Sequence, residues 1–219
     1  MNKRKMIFAC AMLLSMAAHA QWRVGATVGA DYNVFTMDKQ YESDWQHKGR
    51  WGATMGISGQ YDVCNWLAVR ADLSWTQKNR RQYRDRIPID HKYYNDYLLL
   101  PLMASLKTGG DKLSFFTNVG VYGGYWLSSH REGVDENNFS DKYYDFSEKV
   151  TFDSDRDQRW DCGFVGGIGA EYRFASHWAA QVEARYYYST TSVQKQYMRV
   201  KDYRYNGTLA IQMGFNYIF

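Results

Sequence analysis

The sequence predicts an all-β fold, an eight-stranded antiparallel up-and-down transmembrane β-barrel with short periplasmic turns and long extracellular loops. Three observations predict it. Apolar and polar residues alternate in eight segments, and a period of two gives a strand two chemically different faces. The connections alternate short and long, as expected when strands cross a bilayer with turns on one side and loops on the other. Aromatic residues on the apolar faces gather at both strand ends, where the two bilayer interfaces would lie.

Residues 1–20 read as a secretion signal. Lys3, Arg4 and Lys5 supply the positive region, Met6 through Ala17 the apolar core, and Ala18-His19-Ala20 a small-residue cleavage site, with Ala20 and Gln21 flanking the cut. The apolar stretch is shorter than the roughly 20 residues of a spanning helix. Cys10 lies too early in the core to be a lipoprotein cysteine. The chain has 27 Lys+Arg and 23 Asp+Glu, so losing the three basic leader residues leaves about +1. That balance is no argument for nucleic acid as a partner. Residues 21–219 fit one domain, and the negative mean hydropathy without a second long apolar run excludes a helical membrane protein.

In the first strand, Trp22, Val24, Ala26, Val28, Ala30, Tyr32 and Val34 oppose Arg23, Gly25, Thr27, Gly29, Asp31 and Asn33. In the second, Trp51, Ala53, Met55, Ile57 and Tyr61 oppose Gly52, Thr54, Gly56, Ser58, Gln60 and Asp62. A turn at Val63-Cys64-Asn65 leads to Leu67, Val69, Ala71, Leu73 and Trp75, set against Trp66, Arg70, Asp72, Ser74, Thr76 and Lys78. The fourth strand sets Leu98, Leu100, Leu102, Ala104 and Leu106 against Tyr97, Leu99, Pro101, Met103, Ser105 and Lys107.

After Thr108-Gly109-Gly110-Asp111, the fifth sets Leu113, Phe115, Val119, Val121, Tyr125 and Leu127 against Phe116, Asn118, Gly120, Tyr122, Gly124 and Trp126. The sixth sets Trp160, Cys162, Phe164, Ile168, Ala170 and Tyr172 against Asp161, Gly163, Gly167, Gly169, Glu171 and Arg173. Past Ala175-Ser176-His177, Trp178, Ala180, Val182, Ala184, Tyr186 and Tyr188 oppose Gln181, Glu183, Arg185 and Tyr187. The eighth strand alternates from Leu209 to Phe219. The long loops are about 36–50, 79–94, 129–159 and 190–206. Cys64 and Cys162 fall at opposite barrel ends, beyond the ~7 Å that a disulfide bridges between Cα atoms.

A soluble lipocalin-like barrel would turn its apolar face inward. Two features favour the membrane. The polar face is rich in glycine, which weakens a solvated strand but makes room inside a crowded barrel, here for Arg23, Arg70, Arg185, Trp66, Trp126 and Tyr187. Charges of both signs share that face, and Arg23, Asp31, Asp62, Arg70, Asp72, Glu171, Glu183 and Arg185 are the expected interior polar network. Tyr61, Phe174, Trp178, Trp22 and Phe219 mark one aromatic belt, and Tyr32, Trp51, Trp75, Trp160 and Tyr188 the other.

Three stretches, Tyr97 to Leu102, Thr117 to Tyr125 and Asp161 to Tyr172, resemble the PorT-like outer-membrane β-barrel family, and the likeness extends over nearly all of the mature chain. Leu99 departs from the family, which often has an acidic residue before Ile-Pro. The resemblance implies insertion by the outer-membrane assembly machinery with Phe219 ending its recognition signal, and a link to protein secretion through the founding member. It implies no catalytic residue and no cofactor.

Eight strands leave no open pore, since side chains fill so small a barrel. Catalysis would need a histidine or carboxylate within reach of a nucleophile. His47, His91 and His130 fall in outer loops without a serine motif beside them and read as solvated, against an outer-leaflet hydrolase. Asp153, Asp155 and Asp157 have calcium-loop spacing, but Gln158 replaces the required glycine, so a solvated acidic loop is expected and no metal. Residues 78–92 and 195–204 are basic, and the fifth-to-sixth loop is acidic from Asp135 to Asp157. The simplest reading pairs these loops with one another. The sharper one has Arg80, Arg81, Arg84, Arg86, Lys195 and Arg199 contact lipopolysaccharide phosphates. The expected role is a structural or interaction barrel whose outer loops meet surface lipid, a glycan or a protein.

Overall fold

The computed structural model describes residues 21–37, 45–137, 142–195 and 203–219. The expected signal segment 1–20, including Ala20, and Arg199 of the basic rim lie outside the described residues; Gln21 opens the first strand. Ten strands form among the described residues: β1 (Gln21–Met37), β2 (Trp45–Cys64), β3 (Leu67–Gln77), β4 (Arg80–Arg84), β5 (Asp90–Gly109), β6 (Leu113–Asn137), β7 (Lys142–Lys149), β8 (Trp160–Arg173), β9 (Trp178–Ser189) and β10 (Arg204–Ile218).

Eight of these close a ring of antiparallel neighbours in the order β1, β2, β3, β5, β6, β8, β9, β10. The ring shuts where β1 pairs with β10, from Arg23 opposite Ile218 to Met37 opposite Arg204. In hydrocarbon every backbone N–H and C=O needs a partner within the protein, so a sheet can span only when closed. Short turns at one rim follow β2, β5 and β8, as the alternation of connection lengths predicts. At Gly109 the chain leaves β5 with φ +128°, a left-handed conformation open to glycine, and a Cβ there would lie 2.7 Å from the Leu113 carbonyl.

The opposite rim differs from expectation. Stretches anticipated as loops are mostly strand: β2 already starts at Trp45, β5 at Asp90, and β6 runs on to Asn137. β4 pairs with β2 and β5 and so continues the position of β3 above a break at Lys78-Asn79. β7 folds back along the outer half of β6, from His130 opposite Lys149 to Asn137 opposite Lys142. The sheet therefore stands beyond the bilayer as a wall of hairpins. There both faces meet water, rings or charge, so no clean period of two betrays it. β6 slips one residue at Leu127, where Tyr97 faces Trp126 and Asp96 faces Ser128.

The apolar face points outward. Val24, Leu100 and Ile168 are 52%, 50% and 65% exposed, whereas Leu99, Arg185 and Ala210 are wholly enclosed. The belts form from cross-strand ring pairs: Trp22 with Tyr61 at 5.0 Å on the short-turn side, and Tyr32 with Trp51 at 5.4 Å and Tyr125 with Trp160 at 5.1 Å on the other. Trp22 and Tyr32 lie ten residues apart on β1. At ~3.3 Å per residue and a tilt of about 40°, that span is about 25 Å, the height of the apolar band of an outer-membrane barrel.

Glycines on the inner face sit where backbones crowd. A Cβ on Gly120 would collide with the Leu102 carbonyl oxygen, while one on the outward Gly123 would meet nothing within 4 Å. Trp66 is the exception to the expected interior set. It occupies the turn between β2 and β3 and is 60% exposed, because the turn ends the alternation before the strand resumes at Leu67.

Ile168 lies midway between the belts on β8 and faces the lipid. Ile168→Arg should destabilise the reconstituted barrel by about 2–4 kcal/mol in denaturant unfolding, the depth-dependent cost of a cation near the midplane.

Candidate functional site

Two polar layers and, above them, an aromatic layer that holds a further ion pair occupy the barrel between its mouths. At the short-turn end, Arg23 donates to Asp62 Oδ2 at 2.8 Å and to Glu171 Oε1 at 2.5 Å, and Lys107 reaches Asp62 Oδ1 at 2.8 Å. Asn216 Nδ2 donates to the other oxygen of Glu171 at 3.1 Å. A cavity of about 710 Å³ opens below this layer, with Trp66 on its rim.

The middle layer is fully buried. Arg185, wholly enclosed, grips Glu183 through Nε and Nη2 at 2.9 and 2.7 Å and turns Nη1 to Asp72 Oδ2 at 2.8 Å. Arg70 Nε donates to the second Asp72 oxygen at 2.8 Å, and Asn118 Nδ2 donates to Glu183 at 2.8 Å. These residues come from β3, β6 and β9, so the layer ties opposite walls together.

Above it, Leu99, Met103, Val165, Tyr122 and Tyr187 pack as a buried cluster, and Trp126 stacks on Tyr97 at 5.6 Å between centroids. Lys78 lies among the rings of Tyr97, Tyr122 and Tyr187 at 5.1–5.9 Å and pairs with Asp161 Oδ2 at 2.7 Å. Tyr122 and Ser189 hydroxyls donate to Asp161 Oδ1 at 2.9 and 2.7 Å. Asp31 is brought into the same interior but not into the bonded network: it is enclosed, and neither oxygen has a hydrogen-bond partner among the described residues. The pairing of Lys78 with Asp161 was not legible beforehand, since 83 residues separate them and only ring closure joins them.

Among the described residues of the outer end, charged groups pair both within hairpins and between the basic and acidic stretches, as where His91 Nε2 lies 3.5 Å from Asp135. Arg81 holds Asp90 through two bonds of 2.7 and 2.9 Å, Arg131 pairs with Glu148, and Arg156 with Asp157 at 3.1 Å. These bonds raise the Arg81 and Arg156 guanidinium pKa values above their ordinary level. Arg84 lies over the Trp45 ring at 4.6 Å, Arg86 is exposed at the β4–β5 tip, and Lys195 donates to the Ser154 carbonyl at 2.8 Å. Arg80 is not on the outer surface; its guanidinium lies between the Phe35 and Tyr93 rings, 4.3 and 4.5 Å from their centroids. It lines an outer-mouth cavity of about 570 Å³. Arg131, Lys149 and Arg156 line it too. The acid count of their segment hid them from the sequence analysis, although each was visible as a basic residue.

The histidines correct another expectation. His91 is not solvated: it is 5% exposed, with Trp45 and Phe146 at 5.3 and 5.0 Å and Asp135 at 3.5 Å from Nε2. β7 supplies the covering ring, which its position in sequence does not announce. His130 Nε2 lies 3.0 Å from Ser147 Oγ on the exposed face of the β6–β7 hairpin. Among the described residues no cluster of His, Cys, Asp or Glu could hold a metal. Asp153 and Asp157 carboxylates instead accept backbone N–H bonds within their own turn, and Cys64 and Cys162 are free thiols.

A closed ring, two aromatic belts, a filled interior and tall hairpins at one rim now stand together. Residues 6–219 match the family described as Outer membrane protein beta-barrel domain. The chain belongs to that family. Its place is therefore the outer membrane. No curated protein sequence matches it. Among solved structures it is similar in fold to OprG from Pseudomonas aeruginosa, at 11% identity and TM-score 0.52, over 92% of this chain and 96% of that one. Neisserial surface protein A shares 15% identity over 91% of this chain and 99% of its own, with a TM-score of 0.48. Ail of Yersinia pestis shares 14%, over 90% and 98%, with a TM-score of 0.43.

Arg185→Met should cost about 3–5 kcal/mol in unfolding, because it strands Asp72 and Glu183 in a buried interior. The His91 pKa is lowered from its ordinary 6.5, chiefly by burial and against the pull of Asp135. The unfolded chain then binds the proton more tightly, so the packing of β5 on β7 is fully supported above that value and lost as pH falls through the folded one. Protection factors of the β7 amides, corrected for the intrinsic pH dependence of exchange, should fall as pH drops below the ordinary histidine value of 6.5, and His91→Phe should abolish that fall.

Proposed function

We propose that this protein is a non-enzymatic interaction barrel of the outer membrane whose extracellular hairpins contact lipopolysaccharide. One observation carries the reading: the ion-paired and aromatic layers fill the barrel, so what the protein presents to its surroundings is the wall above the outer belt. There Arg81, Arg84 and Arg86 stand on the β4–β5 hairpin, and Lys195 on the loop after β9. Guanidinium groups at this height suit the phosphates of surface glycolipid, through charge-assisted bonds. Arg80 belongs instead to the mouth, and Arg199 remains part of the proposed contact on sequence grounds alone. A surface protein or glycan is a further partner of the same wall. The PorT-like resemblance supports a link to secretion as a narrower alternative.

One geometry favours a second reading. The His130–Ser147 pair is the nucleophile-and-base distance of a hydrolase. Its ring and hydroxyl face solvent rather than a cleft that would exclude water, which favours the interaction role. Esterase and peptidase assays on the folded barrel should show no turnover; turnover abolished by Ser147→Ala or His130→Ala would reverse the order.

Each basic residue near an anionic surface contributes about 1 kcal/mol, so Arg81→Gln/Arg84→Gln/Arg86→Gln should weaken lipopolysaccharide binding by at least about tenfold. Isothermal titration in mixed micelles measures it, and unchanged affinity would remove the proposal.

A further inference from the structure

On the raised wall β2, β4 and β5 stand side by side, with Lys48 opposite Arg81 and Arg81 opposite Lys92. One row across the strands thus carries three cations on three neighbouring strands, ~4.8 Å from one to the next. Successive side chains of a strand alternate between its faces. Arg80 and Tyr93, next in sequence to Arg81 and Lys92, line the outer mouth, so the row lies on the outward face of the wall. Like charges directly opposite on paired strands are destabilising, and the row is unfavourable unless an anion offsets it.

The neighbouring carboxylates are committed elsewhere. Asp90 accepts from Nε and Nη2 of Arg81, which leaves Nη1 without a hydrogen-bond partner among the described residues. Glu132, opposite Lys92 on β6, accepts the Tyr94 hydroxyl at 2.7 Å, and Arg50 donates to that hydroxyl at 3.2 Å. Neither Lys48 nor Lys92 has an ion-pair partner among the described residues. Their strands lie two spacings apart, ~10 Å, so two long lysine stems can converge over Arg81.

The place of the row selects the anion. On β2, Lys48 stands three residues beyond Trp51 of the outer belt, about 8 Å higher at ~3.3 Å per residue and a tilt of about 40°. The same face below it is lipid-facing, with Trp51, Met55 and Ile57 exposed. What meets this face just above hydrocarbon is the headgroup layer of the outer leaflet. A phosphomonoester carries up to two charges and three acceptor oxygens, which match two unpaired ammonium groups and a free guanidinium N–H better than a carboxylate does. We propose that Lys48 and Lys92, with Nη1 of Arg81 between them, seat a phosphate group of outer-leaflet glycolipid. This seat rests on the lipopolysaccharide reading above and moves the centre of the contact from the tip of the β4–β5 hairpin to the outward face of the wall.

Isothermal titration of the folded chain in mixed micelles tests it, with lipopolysaccharide before and after removal of its phosphates by hydrofluoric acid. Phosphate removal should weaken binding by at least about tenfold. Lys48→Gln and Lys92→Gln should each weaken binding of the intact glycolipid about fivefold, and Lys48→Arg should keep the native affinity. Both lysines lie outside the packed interior, so the variants should retain folded gel mobility. Native affinity in both glutamine variants would overturn the seat, and loss of affinity in Arg81→Gln/Arg84→Gln/Arg86→Gln in the same assay would then leave the lipopolysaccharide reading standing. Undiminished binding after phosphate removal, or equally tight binding of phosphatidylglycerol micelles, would also overturn the seat. No binding by the native chain would overturn both.

Discussion

The pairing of β1 with β10 is the constraint from which the rest follows. Fifteen residue pairs join the two ends of the chain's strand series, from Arg23–Ile218 to Met37–Arg204. Without that seam two strand edges would carry unpaired amides into hydrocarbon, at several kcal/mol for each unmet group. Closure at eight strands fixes the circumference, and the circumference fixes an interior only wide enough for side chains. The inner glycines and the Arg–carboxylate layers are two answers to that narrow space. One removes volume where backbones crowd, as at Gly120, and the other fills what is left with groups that satisfy each other.

The ion pairs are not to be read as a large net gain in stability. Taking both charges out of water costs nearly what their attraction returns, while losing one partner leaves the other stranded. Their evident effect is to specify how the walls are joined. Arg185 on β9 meets Asp72 on β3, Glu183 on β9 meets Arg70 on β3, and Arg23 on β1 meets Glu171 on β8. With the lumen filled in this way, recognition is left to the end where strands rise clear of the bilayer. The His91 packing and the Arg80 clamp both lie there, and both depend on β4 or β7, the strands outside the ring.

The ring itself was legible in sequence because hydrocarbon on one side and a crowded lumen on the other impose a strict period of two. Val24, Leu100 and Ile168 could be assigned to the lipid, and the belts to strand ends, from that period and aromatic placement alone. Above the outer belt the rule lapses. Trp45-Gln46-His47-Lys48 and Arg80-Arg81-Gln82-Tyr83-Arg84 form strands although neither face meets lipid, so they read as loops. Charged residues could be assigned to the interior, but not matched: Lys78 with Asp161 and Arg23 with Glu171 meet only through the closed topology. Arg80 looked like its neighbours Arg81 and Arg84 because nothing local shows that Phe35 and Tyr93 close over it.

The central claim is that hydrocarbon covers one face of each strand and the protein's own polar interior the other. Spin labels placed singly along β10, from Leu209 to Met213, test it in reconstituted bilayers through collision with molecular oxygen, which concentrates in lipid. The account predicts high collision rates at 209, 211 and 213 and low rates at 210 and 212. Rates without that alternation, or with the opposite phase, would contradict it.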